Sequence, residues 1–421
     1  MKVLGIVSEY NPFHNGHKFH LEKSREITGC DAVISVMSGN FVQRGEPAII
    51  DKWTRTKMAL LSGVDLVIEN PCIYSAGSAE FFAGSAVKLL DSTGVVDCLC
   101  FGSESGNLDE LSIAADILNN ENELFKDLLQ KNLKKGLSFP AAREATIREY
   151  LSQSGNKQLE DTMKSSNNIL GIEYMKAIKR LKSSMQPYTI KRTGNNYNDE
   201  NITGIFSSAN AIRNFIKKSY AGCTVDKKNI YGELEKVMPK DCLDLLTDEF
   251  EKGTGPVFPE TFGSLILGNL RKLRADEIRE LQDVSEGLEN RIKHAANIAG
   301  DYETLLDMIC AKRYTRTRIN RVLFYSLTGI TKNMYDSFNG PPYIRVLGFN
   351  SKGLKLLTRI KKQSTLPVVT RAASIEKSHG NMEKELFRIE NIATDLYVLG
   401  CPDKNKRQSG LEYRKKIIRL P

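Results

Sequence analysis

Short apolar runs alternate with helical patterns through the first hundred residues. The runs cover residues 3–7, 32–37, 64–68 and 95–101, and residues 79–90 have the three- and four-residue spacing of a helix. Strands that alternate with helices form βαβ units, which pair in a mostly parallel sheet. The alternation predicts an α/β fold whose ligands bind in the turns at the carboxyl ends of the strands.

The turn after the first apolar run carries an unusual group of residues. It breaks at a proline and continues with His14, Gly16 and His17, and three of the five histidines of the chain lie within residues 3–20. Glycine lets the backbone approach a ligand closely, and a helix start offers unpaired N–H groups to an anion such as phosphate. Imidazoles beside these groups can stabilise the charge that develops when a polyphosphate is cleaved.

Two other interpretations of this turn stay open on the residues alone. His14 and His17 could form a hydrogen-bonded structural pair, or they could bind a metal, because their spacing occurs among metal ligands. No cysteine and no further pair of histidines completes a coordination set. The position of the motif directly after a strand favours a functional site.

Two later segments have the residues of helix starts. Ser207 and Ser208 begin a helical pattern that contains Arg213, which suits either a second phosphate-binding helix start or an ordinary capped helix. Asn167 and Asn168 begin another helical pattern. Either both asparagines cap that helix, or one caps it and the other hydrogen-bonds a base or ribose.

Positive charge is concentrated in the second half of the chain. The formal net charge is +9, and residues 311–370 contain 12 lysines and arginines against one acidic residue, Asp336. The segment includes Arg313, Arg316, Arg318 and Arg321, with tyrosines at positions 314, 325, 335 and 343. Basic residues with aromatic residues among them suit phosphate contacts and base stacking on RNA. The alternative is a solvated helix face, but so strong a local excess favours nucleic acid.

The sequence argues against a membrane protein and against a secreted protein. The 421 residues contain no run of about 18 apolar residues. The start of the chain lacks the charged-then-apolar layout of a signal peptide. Eight cysteines are scattered along the chain, which predicts reduced thiols and a cytoplasmic protein without a membrane partner.

Several sequence blocks carry a resemblance to known proteins. His14-Asn-Gly-His17 and Ser208-Ala-Asn-Ala-Ile-Arg213 together resemble the motifs of the nucleotidyltransferase superfamily of adenylyl-transferring enzymes. Ala209 and Asn210 depart from the usual Ser-Ser-Thr-x-Ile-Arg pattern. Longer ungapped blocks look like the bacterial tRNA(Met) cytidine acetate ligase family, and they lie at residues 9–17, 37–48, 101–104, 167–171 and 191–194. Asn198 departs from this family at a position where histidine is expected.

The resemblance implies both a fold and a reaction. The fold is a Rossmann-like, mostly parallel sheet in a nucleotidyltransferase domain at residues 1–225, followed by a mainly helical, basic tRNA-binding region at 226–421. The reaction joins acetate to ATP with loss of pyrophosphate. The N4 amine of the wobble cytidine of elongator tRNA(Met) then attacks the acetyl-adenylate, which gives N4-acetylcytidine.

The site residues are expected from the motifs and from the chemistry together. His14, His17 and Arg213 are the expected catalytic residues because they can stabilise phosphate charge, with Mg²⁺ accompanying ATP. The tRNA contacts are expected from the four arginines at 313, 316, 318 and 321. The expected nucleotide contacts are Val7, Ser8, Glu9, Tyr10, Asn11, Pro12, Phe13, Asn15, Gly16, Lys18, Phe19, His20, Gly102, Asn167, Asn168, Arg192 and Ser208.

Two rival functions share part of this pattern. A metabolic adenylyltransferase that makes a nucleotide or coenzyme precursor would share the histidine motif but has no use for the basic segment. A non-catalytic RNA-binding protein would explain the basic segment but not the intact histidine motif.

Overall fold

The computed structural model describes residues 1–137, 139–155, 159–163, 165–192, 202, 204–220, 226–377 and 380–421. Position 198, where the sequence departs from the resembling family, lies outside these residues. Within the described residues the chain forms an α/β fold around one twisted sheet.

The sheet has the strand order β5-β4-β1-β2-β3-β6-β7, and β8 pairs with β6. Neighbouring strands are parallel except that β6 runs antiparallel to β3. The strands are β1 Val3–Ser8, β2 Ala32–Ser38, β3 Leu66–Asn70, β4 Cys98–Ser103, β5 Gln186–Lys191, β6 Ile344–Phe349, β7 Val368–Val369 and β8 Ile418–Arg419.

Helices pack on both faces of the sheet. Ala32 and Ile34 of β2 belong to one hydrophobic cluster, whereas Val33 and Met37 belong to the cluster on the opposite face, because successive side chains of a strand point to opposite sides. In the first half of the chain the helices are α1 Asn15–Thr28, α2 Lys52–Leu61, α3 Cys72–Ser75, α4 Ala79–Ser92, α5 Leu108–Asn119, α6 Glu123–Lys134, α7 Phe139–Gln153, α8 Leu159–Thr162, α9 Ser166–Leu181 and α10 Ala209–Tyr220.

The second half of the chain is mainly helical and supplies most of a third hydrophobic cluster, to which Phe41 and Tyr74 of the first half also belong. Short 3₁₀ turns lie at Pro259–Phe262 and Lys404–Lys406. The α-helices are α11 Lys227–Glu235, α12 Lys240–Glu251, α13 Gly263–Lys272, α14 Ala275–Arg279, α15 Leu288–Ile298, α16 Tyr302–Ile309, α17 Arg316–Thr328, α18 Lys332–Ser337, α19 Ser351–Gln363, α20 Ala373–Glu376, α21 Asn381–Val398 and α22 Leu411–Arg414.

The predicted α/β fold with a mostly parallel sheet is confirmed. The four apolar runs correspond to β1, β2, β3 and β4, and the runs at 64–68 and 95–101 begin two and three residues before the strands they predict. The helical pattern at 79–90 corresponds to α4. The early strands are recognisable because each one is a continuous buried run between helices.

The sheet also contains strands that the sequence patterns did not predict. β6, β7 and β8 come from the helical second half, and β6 adds the antiparallel edge next to β3. β7 and β8 have only two residues each, and β6 pairs with β3, which lies within the first hundred residues of the chain. The boundary at residue 225 stays a prediction, although these strands join the second half of the chain to the sheet of the first.

A buried ion cluster fastens the last residues of the chain to this sheet. Lys52 of α2 contacts Glu69 of β3 and lies 2.6 Å from Oε1 of Glu412 in α22. Arg345 of β6 pairs with Glu412 and lies 3.3 Å from Oε2 of Glu69. All four side chains are buried. Burial raises the pKa of the Glu412 carboxyl, but Arg345 and Lys52 outweigh burial and lower this pKa to about 2.

We predict that Lys52→Met lowers the free energy of unfolding by about 3–5 kcal/mol, because it leaves two buried carboxylates with a single cationic partner. Urea unfolding at pH 7 measures the change. Lys23→Met is the control, since it breaks an exposed pair between Lys23 and Glu26 that contributes little. Equal stability of the two variants would show that the cluster does not hold the sheet and the C-terminal segment together.

Candidate active site

A cavity of about 250 Å³ lies at the carboxyl ends of β1, β4 and β5. In the sheet, β1 has β2 on one side and β4 on the other. The chain therefore leaves β1 toward one edge of the sheet and later returns on its other side. Open α/β sheets bind ligands in the crevice at such a reversal of strand order. The cavity is also bordered by the first turns of α1, α9 and α10.

The rings of His14 and His17 close the first turn of α1 by accepting hydrogen bonds from backbone N–H groups. Nδ1 of His14 accepts the backbone N–H of Gly16 at 3.0 Å, and Nδ1 of His17 accepts the backbone N–H of His14 at 3.3 Å. A ring nitrogen that accepts a hydrogen bond carries no proton, so the proton of each neutral imidazole is on Nε2. Both imidazoles can therefore act as N–H donors to a ligand in the cavity.

The electrostatic surroundings keep the histidines neutral. Burial, with Arg192 and Arg213 nearby, lowers the pKa of His14 to about 3. Burial and the neighbouring His14 lower the pKa of His17 well below its usual value. Burial and Arg192 lower the pKa of His20 to about 4. These rings are therefore neutral hydrogen-bond donors, and the positive charge comes from the arginines.

Two arginines from distant parts of the chain reach the same cavity. Arg213 of α10 lines it and donates from a terminal nitrogen to the backbone oxygen of Asn11 at 2.8 Å. Arg192 follows β5, where its backbone N–H bonds the oxygen of Ser103 at 2.9 Å. The side chain of Arg192 lies against Gly102, where a Cβ would be 3.3 Å from its Cγ. The fold thus gathers two guanidinium groups beside the start of α1.

The two adjacent asparagines of α9 have different positions. Asn168 is buried, and its Oδ1 accepts the backbone N–H groups of Glu104 and Ser105 at 2.9 and 3.1 Å. Asn167 lines the cavity, and its Nδ2 donates to Oε1 of Glu104 at 2.7 Å. Asn168 therefore shapes the loop after β4, and Asn167 is the one placed to contact a ligand.

The structure brings most of the expected ATP-site residues together. Those that line the cavity are Val7, Ser8, Glu9, Tyr10, Asn11, His14, Gly16, His17, Phe19, His20, Gly102, Asn167, Arg192, Ser208 and Arg213. Ser208 also caps α10, since its hydroxyl oxygen accepts the backbone N–H of Ala211 at 3.1 Å.

Five of the expected nucleotide contacts do not line the cavity: Pro12, Phe13, Asn15, Lys18 and Asn168. Phe13 is buried against Tyr10, with ring centroids 4.8 Å apart. Asn15 bonds the segment after α11, and Lys18 is exposed beside Glu22. Proximity along the chain did not distinguish residues that face the ligand from those that support the helix start.

Other residues of the lining were not predicted to be ATP contacts. Gln43, Phe101 and Lys191 lie in sequence blocks that carried the family resemblance. The remaining lining residues are mostly apolar and come from several elements: Ile6, Phe82, Leu170, Tyr174, Ile190, Phe206, Ser207 and Ala209. Apolar side chains that line a cavity look the same in sequence as side chains of the core.

The tyrosines of the basic segment do not offer free faces for base stacking. Tyr314, Tyr325, Tyr335 and Tyr343 are all buried, so this part of the sequence interpretation is wrong. Their spacing reflects the core of the second half of the chain. Tyr325, for example, donates its hydroxyl proton to the backbone oxygen of Ala76 at 2.8 Å.

The four arginines of this segment differ in how exposed their side chains are and in which residues of the protein they contact. Arg313 and Arg316 are exposed and lie near Glu286 and Glu303, respectively. Arg318 is half-buried and donates to the backbone oxygen of Asp283 at 2.8 and 2.9 Å. Arg321 is only 12% exposed and pairs with the Asp283 carboxylate at 2.8 Å. Arg313 and Arg316 therefore present the most free surface.

The described parts of the chain contain neither a membrane-spanning helix nor a cluster of metal ligands. No helix there combines the length and the apolar character that a membrane span requires. The same residues contain no group of three or more histidine, cysteine or acidic side chains that could hold a metal ion. Among the described residues, His14 and His17 therefore have no further side chains that would complete a metal site.

Comparisons with known proteins agree with this geometry. The model of the HIGH Nucleotidyl Transferase family matches residues 1–412. A tRNA(Met) cytidine acetate ligase of Acetivibrio thermocellus is 49% identical over 421 residues, which cover 99% of this chain and all of the relative. This chain belongs to the tRNA(Met) cytidine acetate ligase family. A second relative of the same name, from a Thermoanaerobacter species, is 45% identical and covers all of both chains.

Solved structures extend the similarity to the fold. Thermotoga maritima TmcAL in its apo form is 38% identical, with a TM-score of 0.94 and complete coverage of both chains. The same protein bound with alpha-thio ATP has a TM-score of 0.91 at the same identity and coverage. The architecture described above is therefore shared with an ATP-analogue-binding member of the family.

We predict that His14 and His17 keep their proton on Nε2 between pH 5 and 8. Long-range proton–nitrogen NMR spectra should show this tautomer with no titration in that range, and His14→Gln serves to assign the signals. An ordinary histidine has a pKa of about 6.5 and would titrate there. Because folding lowers these pKa values, their contribution to stability is present above about pH 6.5 and falls as the pH drops toward 3. An Nδ1–H tautomer would contradict the capping geometry.

Proposed function

We propose that this protein is an ATP-dependent ligase that forms N4-acetylcytidine at the wobble position of elongator tRNA(Met). The single observation that carries this proposal is the convergence of two Nε2–H donors and two guanidinium groups in one cavity at the start of α1. The full-length similarity to tRNA(Met) cytidine acetate ligases supports the choice of reaction. The cytoplasm, where tRNA is found, is its proposed place of action.

In the first step, acetate attacks the α-phosphate of ATP and pyrophosphate leaves. Acetate is already an anion and needs no base, so the step requires positioning and stabilisation of phosphate charge. His14 and His17 would donate from Nε2, and Arg213 and Arg192 would supply positive charge. The backbone N–H groups at the start of α1 would add further donors.

The residues of the cavity are compatible with Mg²⁺ that enters together with ATP. Among the residues described, the protein provides no cluster of metal ligands of its own. Mg²⁺ commonly keeps several waters and is held through substrate phosphates. We therefore propose Mg²⁺ as a companion of the nucleotide, bound chiefly by phosphate oxygens and water.

In the second step, the cytosine N4 attacks the acetyl carbonyl of the adenylate and AMP leaves. This transfer needs no covalent bond to the enzyme, since the adenylate is already an activated acyl group. The protein's task is to bring the base to the adenylate and to exclude water, which would otherwise hydrolyse it.

A physical connection links the cavity to the proposed tRNA-binding surface. Gln43 lines the cavity, and the same loop packs on α17 a few residues later. A Cβ on Gly45 would lie 2.5 Å from the backbone nitrogen of Arg321, and Oε1 of Glu46 accepts Nδ2 of Asn320 at 2.9 Å. RNA held by the arginines around α17 would therefore lie next to a loop that borders the adenylate site.

The function is tested by incubating the protein with ATP, labelled acetate and tRNA(Met). We expect label in the tRNA and loss of pyrophosphate release in His17→Ala, whose tRNA affinity should stay nearly intact. Pyrophosphate release with another small substrate and no labelled RNA would favour a metabolic adenylyltransferase. Silence in both assays would favour a non-catalytic RNA-binding protein.

We predict that Arg313→Ala combined with Arg316→Ala weakens tRNA binding and reduces its salt dependence. Each lost phosphate contact should lower the slope of log affinity against log salt by about 1. Lys131→Ala combined with Arg148→Ala is the matched control, because it removes two exposed charges from α6 and α7. An unchanged slope in the first variant would place the RNA-binding surface elsewhere.

A further inference from the structure

Glu9 carries the only carboxylate among the described residues that line the cavity. It follows β1 directly and is half-buried. Its Oε1 accepts the backbone N–H of Gln43 at 2.9 Å, while the other carboxylate oxygen has no hydrogen-bond partner among the residues described. The protein therefore fixes one oxygen of this carboxylate and leaves the other available to a ligand.

The charge of Glu9 limits what that ligand can be. A carboxylate repels the oxygens of a triphosphate, so a direct phosphate contact is unfavourable. Its preferred partner is a group that donates hydrogen bonds. The backbone oxygen of Glu9 accepts a terminal nitrogen of the buried Arg55 at 2.6 Å, and the same nitrogen bonds the oxygen of Ser38 at 3.1 Å. Arg55 thus ties Glu9 to the end of β2.

This position lies on the side of the cavity that leads to the basic region. The residue that bonds the Glu9 carboxylate, Gln43, belongs to the loop that packs against α17. Arg192, by contrast, follows β5, which lies two strands away from β1 in the sheet. A base presented by RNA on the basic region would meet Gln43 and Glu9 before it met the phosphate-binding groups.

We propose, building on the function proposed above, that Glu9 accepts a hydrogen bond from the N4 amine of the target cytosine and takes its proton during acetyl transfer. The N4–C bond forms, the bond between the acetyl carbon and the phosphate oxygen breaks, and its electron pair leaves with AMP. The N4 proton passes to the carboxylate. Uracil has a carbonyl oxygen at this position, which a carboxylate repels, so the contact also selects cytosine.

The other titratable groups of the cavity are poorly suited to accept this proton. His14 and His17 already carry a proton on Nε2 and use Nδ1 as an acceptor. Burial and Arg192 lower the pKa of His20 to about 4, so it is no stronger a base than a carboxylate. Burial and the facing Glu9 raise the pKa of Tyr174, so its hydroxyl keeps its proton.

The test separates the two half-reactions in Glu9→Gln, which keeps an oxygen for the Gln43 N–H but removes the base. Trapping the acetyl-adenylate with hydroxylamine, without RNA, reports the first step. Transfer of labelled acetate to tRNA(Met) reports the second. We expect hydroxamate formation within about threefold of wild type and tRNA acetylation reduced about 100-fold or more.

Glu26→Gln is the control, because it removes the same charge from an exposed position of α1 outside the cavity lining. It should leave both half-reactions near wild type. Glu9→Asp withdraws the carboxylate by one methylene and should lose less acetyl transfer than Glu9→Gln. It replaces Glu9→Gln in the test if Glu9→Gln unfolds at a lower temperature than the wild-type protein.

Two results would overturn the proposal for Glu9. An equal loss of both half-reactions would place Glu9 in the ATP site, and full retention of transfer would deny it any part in proton transfer. A wild-type protein that forms the hydroxamate but transfers no label to tRNA would instead refute the proposed function.

Discussion

The capping of the start of α1 by the rings of His14 and His17 is the interaction on which the site depends. It satisfies two backbone N–H groups at the start of α1 and at the same time fixes the tautomer of both rings. A helix start without such caps would leave donors unpaired at a buried position. The same two rings therefore meet a structural and a chemical need. Nδ1 of each ring caps the helix, and Nε2 is left as a donor for a ligand.

The charges around this helix start divide the cavity into two sides. Arg192 and Arg213 bring positive charge from segments about two hundred residues away in sequence, which suits a polyphosphate. Glu9 brings a negative charge on the side held by Arg55. The neutral imidazoles add oriented N–H donors to the cavity without adding net charge. Such a division suits a reaction in which a carboxylate is first joined to a phosphate and the resulting adenylate is then attacked by an amine.

The second half of the chain is joined to the first at several places. β6 extends the sheet beyond β3, and Glu412 of α22 pairs with Lys52 and Arg345 inside the buried ion cluster. The loop at residues 41–47 connects the cavity with α17. The surface proposed to bind RNA is thereby joined to the place where the base would react. Precise placement of the reacting groups is what such a two-substrate transfer requires.

The sequence by itself determined the α/β class, the first four strands, and the turn that carries the histidines, because each is a local pattern of apolar runs and turn residues. It also determined the family through long ungapped blocks. Only the tertiary structure decided which residues of 7–20 face the cavity, since Phe13 is buried whereas the next residue, His14, lines the cavity. It also showed that the tyrosines of the basic segment are buried and that β6 belongs to the sheet. Burial and strand pairing depend on partners hundreds of residues away, and local sequence patterns carry no record of those partners.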